Sequence, residues 1–336
     1  MKKFDYKRLI KNIIFSLIIP AGIFLIFAVM TEGRTATVRV FTTTIRQSIV
    51  PMMICFGLML NMNVGMINFS AGAMITFAGI IGGNLARLTG TGVFGVLLFC
   101  ILITLALGAV TGVLYRLIRV PSMVLTIGTL MIWEAAPYTV FPNGANLPSS
   151  MTILAREPYI YILLAVMFLI FYILLNKTAF GYNLSAVGNN QAIANSVGLD
   201  SDKIKFLSFL FGSLFLGVGA VLHLSSMGEL RNVTTMSSMN VMMDGFMGVF
   251  MAMFLSRYCN ISIAVIIGTF SMKMLSNGFI AMGFSSTARD VVQGLLLLAL
   301  LTISANAGLI ETRRADKTFK EEAIREYHSR GKAGVR

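Results

Sequence analysis

Glu134 and Lys273 each fall well inside an otherwise apolar stretch, residues 120–141 and 260–282. An ionisable side chain near the centre of a bilayer costs about 2.5–3.5 kcal/mol on insertion scales, so it faces a cavity or a partner rather than lipid. Asn68 and Asn277 add amides at similar depth, and Asp244 lies nearer the end of its apolar stretch. Asp290, beside Arg289 at the start of a stretch, reads as an interfacial pair. Such groups suit a shielded polar path for a solute. The structural alternative is that Lys273 snorkels to the interface or pairs with Glu134. Nothing in the chain has the pattern of a catalyst. There is no G-x-x-x-x-G-K-[ST] phosphate cradle, no H-E-x-x-H and no Cys/His cluster, and the two histidines, His223 and His328, are far apart in sequence. No enzyme activity, cofactor or metal is therefore expected, and any use of ATP requires another chain.

The elements that carry these residues follow from composition. Of the 336 residues, 56% are apolar and 12% charged, against about 25% charged in soluble domains; the mean hydropathy is +0.81. That excludes a soluble enzyme, a nucleic-acid binder and a disordered chain. The formal charge of +13 comes largely from the two ends, from Lys2, Lys3, Lys7, Arg8 and Lys11 and from Arg313 onward. Basic ends beside apolar helices retain the flanks in the cytoplasm, so nucleic acid is not an expected partner and the lipid bilayer is. Cys55, Cys100 and Cys259 match no zinc or redox spacing and read as small apolar residues.

The expected fold is an all-α integral membrane bundle of about ten transmembrane helices, some of them discontinuous. A crossing needs about 20 apolar residues. Candidate spans are 12–30, 45–61, 62–83, 93–118, 120–141, 159–175, 204–225, 240–257, 260–282 and 287–306. The first is too long for a signal-peptide core and lacks a clear cleavage site, so it reads as an uncleaved helix. The fifth holds Pro121, Pro137 and Glu134, so an interruption is expected there. With both ends cytoplasmic, nineteen of the 27 Lys and Arg fall inside and seven outside, Lys273 lying within a span. That bias satisfies the positive-inside rule, but it rests on the two ends rather than on the interior loops. One membrane domain over 12–306, with basic ends 1–11 and 307–336, is the expected organisation.

The longest inside loop, residues 176–205, alternates alanine and valine with polar positions between glycines, as one or two short helices would. It suits either a helix resting on headgroups or a docking element for a cytoplasmic partner. Gly79 with Gly83 and Gly108 with Gly112 form G-x-x-x-G pairs, which favour close helix approach. The methionines from Met236 to Met253 read as lipid-facing filler, the alternative being flexible thioethers at a moving interface.

Four stretches resemble the permease subunits of bacterial ABC importers of the ribose/simple-sugar and branched-chain amino acid superfamily. Residues 65–79 are similar to the family's I-D-L-S-x-G segment through Ile67, Ser70 and Gly72, with Asn68 in place of the acidic residue. Residues 120–130 resemble its V-P-x-F-[IV]-x-T-L-G-T segment. Residues 180–199 resemble its F-G-R-x-x-x-A-x-G-x-N-x-x-A-A-x-x-x-G cytoplasmic loop through Gly181, Ala186, Gly188, Asn190, Ala192, Ala194 and Gly198. Residues 291–300 resemble its closing span. The resemblance implies that loop 176–205 is the coupling element that docks on ATP-binding cassette subunits. It also implies a second permease subunit, the same or a paralogue, an extracytoplasmic solute-binding protein, and multi-pass residence in a bacterial plasma membrane with both termini cytoplasmic. Asn68, Ser70, Glu134, Lys273 and Asn277 are the expected translocation-path residues. A simple sugar such as ribose is the expected solute, with nucleosides and branched-chain amino acids as alternatives. A secondary transporter or channel, using Glu134, Asp244 and Lys273 for ion coupling, is the rival reading.

Overall fold

The computed structural model describes residues 20–33, 37–256, 258–285, 287–288, 291–296, 298–299 and 302. The chain divides into two compact units, Met1–Phe284 and Ser285–Arg336. In the second unit, residues 287–288, 291–296, 298–299 and 302 are helical and fall within the expected last span.

In the first unit, helix α1 spans Pro20–Met30. It is followed by α2 (Val38–Met62), α3 (Ala71–Thr89), α4 (Gly92–Ile118), α5 (Ser122–Val140), α6 (Tyr159–Asn176), α7 (Ala179–Asn189), α8 (Gln191–Ser196), α9 (Ser201–Met227), α10 (Met239–Leu255) and α11 (Ile261–Ala281). Seven of these are long and apolar enough to cross a membrane; α1 and α10 are shorter apolar helices. In hydrocarbon every backbone N–H and C=O must be satisfied within the segment, so apolar runs of this length become helices. Polar side chains start them: Thr37 accepts from Val40 N–H ahead of α2, Asp200 from Lys203 N–H ahead of α9, and Asn260 from Ser262 N–H ahead of α11.

Burial sorts the helices into layers. The most apolar stretches of α2, α3 and α9 are 72% buried, against 33% for α4 and α5 and 22% for α6. The outer helices expose Phe94, Leu102, Ile132, Ile162 and Leu169, the side chains a bilayer would cover. The inner helices approach closely where side chains vanish. A Cβ on Gly57 of α2 would stand 2.7 Å from the carbonyl oxygen of Gly212 of α9, and one on Gly108 of α4 would overlap Ser213. Both G-x-x-x-G pairs seen in the sequence face α9 residues, Gly79 and Gly83 meeting Leu224, and Gly108 and Gly112 meeting Ser213 and Phe206.

The turns after α2, α4 and α6 and the start of α9 gather at the end that carries α7 and α8. At the opposite end a two-stranded antiparallel ladder pairs β1 (Ala145–Asn146) with β2 (Glu229–Leu230).

Three expectations need correction. Helix α2 starts at Val38 and α3 at Ala71, because residues 63–70 form a turn in which Gly65 has φ +72°. The interruption expected at the fifth span is absent: Pro121 is the N-cap of α5 and Pro137 lies in its last turn. The break falls before α10, where residues 231–238 return from β2 into the bundle as non-helical backbone. And the methionines of α10 are not all lipid-facing, since Met242 and Met251 are buried where α10 packs between α2 and α11.

Candidate functional site

Three places hold the residues singled out by the sequence, and they are separate. The first is the α7–α8 end. Thr178 caps α7 by accepting from Gly181 N–H, and Asn190 caps α8 by accepting from Ile193 N–H at 3.1 Å. Gly181 is buried against the end of α6, where a Cβ would lie 2.1 Å from the Leu175 carbonyl oxygen. Gly188 presses on the turn that follows α2: a Cβ there would lie 1.8 Å from the Asn63 carbonyl oxygen. Gly198 turns the chain into α9 with φ +88°, a conformation that suits glycine. Ala194 is buried, while Ala186, Ala192, Gly188 and Asn190 are exposed. The apolar side chains of Ile193 (62%) and Val197 (72%) also stand in the open. One turn apart, they form an apolar edge at the end of the bundle.

The second place is a cavity of about 640 Å³ toward the β1–β2 end, among the first half of α2, the start of α6, the end of α9, α10 and α11. Lys273 and Asn277 both line it. Lys273 pairs not with Glu134 but with Asp244, Nζ to Oδ2 at 2.8 Å. Asn277 donates to Thr44 Oγ1 at 3.0 Å and to Gln47 Oε1 at 2.9 Å. Arg46, Glu157 and His223 complete the ionisable lining. Arg46 and Lys273 thus offset Glu157 and Asp244 in formal charge. Such a wall can hydrogen-bond a neutral polar solute from many directions without a net field for or against it.

The third place is a junction inside the bundle. Glu134 is 5% exposed and takes up both of its oxygens on the start of α10: Oε2 accepts from Met236 N–H at 2.8 Å, and Oε1 from Ser238 N–H at 2.9 Å. Helix α10 has no side-chain cap of its own, so a carboxylate from α5 supplies one, and the positive end of the helix compensates its charge. At 1.5 Å per residue, Glu134 lies about 18 Å along α5 from its start, roughly halfway through a hydrocarbon core. Thr235 and Met236 just before the cap have φ of +64° and +62°, a conformation that disfavours a β-branched residue. Asn232 secures the other end of this segment by donating to the carbonyls of Phe141 and Pro142. Asn68 and Ser70 are buried beside this junction. Asn68 Oδ1 accepts from Ser70 N–H at 3.1 Å and from Ser70 Oγ at 2.7 Å, which closes an Asx turn ahead of α3. Two residues on, a Cβ at Gly72 would stand 2.1 Å from the Ser238 carbonyl oxygen.

Of the five expected path residues, then, Lys273 and Asn277 share the cavity, while Glu134, Asn68 and Ser70 hold helix starts together and do not line it. Sequence reasoning did not single out Arg46, Gln47, Glu157 or His223 as cavity groups. Asp244 was noted, and its partner was legible: residues 244 and 273 are nearly equidistant in sequence from the connection between α10 and α11, so an antiparallel α10–α11 hairpin brings them level. Among the described residues no three His, Cys, Asp or Glu side chains gather as a metal site.

Comparison with known proteins adds the family. The autoinducer 2 import system permease protein LsrC of Photorhabdus luminescens is 24% identical over 61% of this chain and 63% of its own length. The protein of the same name from Yersinia pestis (strain Pestoides F) is 23% identical over 79% of this chain and 77% of its own, and that from Yersinia pseudotuberculosis serotype O:3 (strain YPIII) is likewise 23% identical over 79% and 77%. The alignment with the Photorhabdus protein thus spans somewhat less than two thirds of it. No solved structure matches the chain significantly. The model of the family described as branched-chain amino acid transport system / permease component matches residues 40–301. That match runs from the start of α2 through α11 and past it, so the chain belongs to this permease family, within the ABC importer permease superfamily.

Proposed function

We propose that the chain is the membrane-spanning permease subunit of an ABC importer that brings a small, uncharged polar solute into the cytoplasm with ATP hydrolysed by a partner subunit. The observation that carries the reading is the α7–α8 end. Helix α7 sits on the turn after α2 through Gly188, and α8 beside it offers Ile193 and Val197 to the outside, at the end of the bundle. Apolar groups exposed away from lipid mark a docking surface, and the partner here is an ATP-binding cassette subunit. We take this end as cytoplasmic, the side on which the positive-inside rule favours the basic ends of the chain. The cavity then faces the extracytoplasmic side and receives solute from a binding protein, and a second permease subunit completes the path.

The mechanism follows from the contacts. Closure of the ATPase subunits moves α7 and α8. Gly188, in contact with the Asn63 backbone, passes that movement to the end of α2, whose other half lines the cavity. The charge-balanced lining favours a simple sugar such as ribose. The import role of the relatives makes autoinducer 2 a second solute to test, followed by nucleosides and branched-chain amino acids. The rival reading, an ion-coupled carrier working alone, draws on one observation, the Lys273–Asp244 pair within spans. One experiment separates them: gentle purification of the tagged chain from its native membrane, then uptake by proteoliposomes. Co-purification of a stoichiometric subunit with a P-loop, and uptake that requires ATP, support the importer. A preparation of this chain alone that accumulates ribose on an ion gradient overturns it.

A further inference from the structure

Lys205 lies one turn inside α9, in a residue only 9% exposed. Its ammonium donates to Gln191 Oε1, on the first residue of α8, at 2.9 Å. It also reaches the hydroxyl of Tyr115, on the last turns of α4, at 3.5 Å, and stands 5.7 Å from the centre of that ring. Among the described residues no carboxylate lies within 4 Å of it. The network continues from there. Ser208 Oγ donates to the Lys205 carbonyl at 2.7 Å and to Asn61 Oδ1 of α2 at 3.1 Å, and the rings of Tyr115 and Phe209 stand 6.0 Å apart.

A buried ammonium held only by an amide oxygen, a phenol and a ring face is a costly way to fill space, because leucine or methionine would fill it without desolvating a charge. An ammonium does offer what an apolar side chain cannot: several donors on a long stem. Here they join three elements, α8 through Gln191, α4 through Tyr115 and α9 through its own backbone. Gly188 gives α7 a steric contact with the turn after α2, which transmits a push. Lys205 gives α8 a polar tether, which also transmits a pull. α9 is the most buried of the long helices along with α2 and α3, and its far end lines the cavity through His223, Ser226 and Met227.

We propose that Lys205 is the positioning residue that ties α8 to α4 and α9, so that movement of the docked ATPase in both directions reaches the cavity. The proposal rests on the docking role of α7 and α8. It predicts that Lys205 governs coupling and leaves docking intact.

The test uses the complex of the tagged chain with its co-purifying ATPase, in a background carrying Cys259→Ser. Ser226→Cys is introduced as a reporter on the cavity wall, and its reaction with a water-soluble maleimide is measured with and without ATP plus vanadate. ATP-vanadate is expected to change the labelling rate in the parent. Lys205→Met is expected to reduce that change by about fivefold or more, the usual span of a coupling free energy, while ATPase co-purification and basal hydrolysis hold. Lys205→Arg is expected to restore most of the change. Gln191→Ala, on the exposed surface of α8, removes the same bond without touching the core and is expected to reproduce the loss. A full labelling change in both Lys205→Met and Gln191→Ala overturns the proposal alone. So does loss of ATPase co-purification in Lys205→Met, since the residue would then serve docking. A parent chain that brings down no ATPase overturns the docking reading and this proposal with it.

Discussion

The two ends of the bundle solve opposite problems. At the α7–α8 end, backbone polar groups are capped by Thr178, Asn190 and Asp200, and apolar Ile193 and Val197 are left uncovered. At the β1–β2 end a largely apolar wall carries polar and charged groups, and these are engaged with one another or with their neighbours: Lys273 with Asp244, Asn277 with Thr44 and Gln47. On the proposed reading, one surface is completed when a partner covers it. The other holds charge at membrane depth while keeping its own hydrogen bonds, so on the proposed reading a passing solute would exchange partners rather than meet bare charge. The difference teaches that exposure of the wrong polarity, apolar at one end and charged within spans at the other, locates where this chain meets something else. The centre, between α2, α3 and α9, is closed by glycine-mediated contacts.

The sharpest way to break this comparison is at the seat of α7. Gly188→Val forces a side chain onto the Asn63 carbonyl, where even a Cβ would stand 1.8 Å away. Helix α7 must lift, and ATP-driven uptake is expected to fall by about a hundredfold, the upper part of the range for coupling free energies. Insertion and abundance, measured by immunoblot of membranes, are expected to stay near wild type because the clash lies outside the spans. Wild-type uptake in this variant would remove α7 from the coupling path.

Next is the cavity pair. Lys273→Met leaves Asp244 without its counter-ion within a span. Removing one member of a buried pair costs about 3–5 kcal/mol, and partial exposure of both side chains here, 19% and 38%, lowers that to about 2 kcal/mol. The double variant Lys273→Met/Asp244→Asn is expected to recover most of the loss in thermal stability in detergent, yet not the uptake. Equal stability of the single and double variants would mean that the two charges do not depend on each other.

A smaller effect is expected at the internal junction. Glu134→Gln keeps the shape but offers one acceptor oxygen to two N–H groups and turns an NH₂ toward the second. That unsatisfied contact costs about 1–3 kcal/mol, read as a lower unfolding midpoint in detergent. Glu134→Asp is expected to fare no better, because the shorter stem cannot reach Met236 and Ser238 together. A variant as stable as wild type would show that the start of α10 is held by packing alone.

Much of the fold was legible and much of the site was not, for physical reasons that particular residues make plain. Apolar runs of the length needed to cross hydrocarbon become helices almost regardless of what lies elsewhere, so α4, α6, α9 and α11 stand close to where the sequence puts them. Boundaries set by side-chain geometry were missed: the turn at 63–70 depends on Gly65 and on an Asx turn at Asn68, inside what reads as continuous apolar sequence. Glu134 was found as a misplaced charge, but its partners are backbone N–H groups about a hundred residues later, which no pattern of residue types announces. Lys205 was counted as one of many basic flanks. Its neighbours Gln191 and Tyr115 are brought to it by the fold of α8 against α9 and α4.

The smallest effect on the chain itself is the one that tests the comparison most directly. Ile193→Ser with Val197→Ser replaces two exposed apolar side chains that contribute little to the bundle. Surface changes of this kind alter stability by no more than about 0.5 kcal/mol, so the unfolding midpoint is expected to stay where it is. Their area is different in the complex. At roughly 25 cal/mol per Å² of apolar surface removed from water, two such side chains covered by a partner are worth about 1.5–3 kcal/mol each. Co-purification of the ATPase at limiting concentration is therefore expected to fall by at least about tenfold. An unfolding midpoint that drops with the double change would mean that these side chains already belong to the bundle. An unchanged midpoint with undiminished ATPase binding would place the docking surface elsewhere on the chain. Only the predicted combination, a stable chain that no longer holds its partner, fits an end that is incomplete by design and a far end that is complete without one.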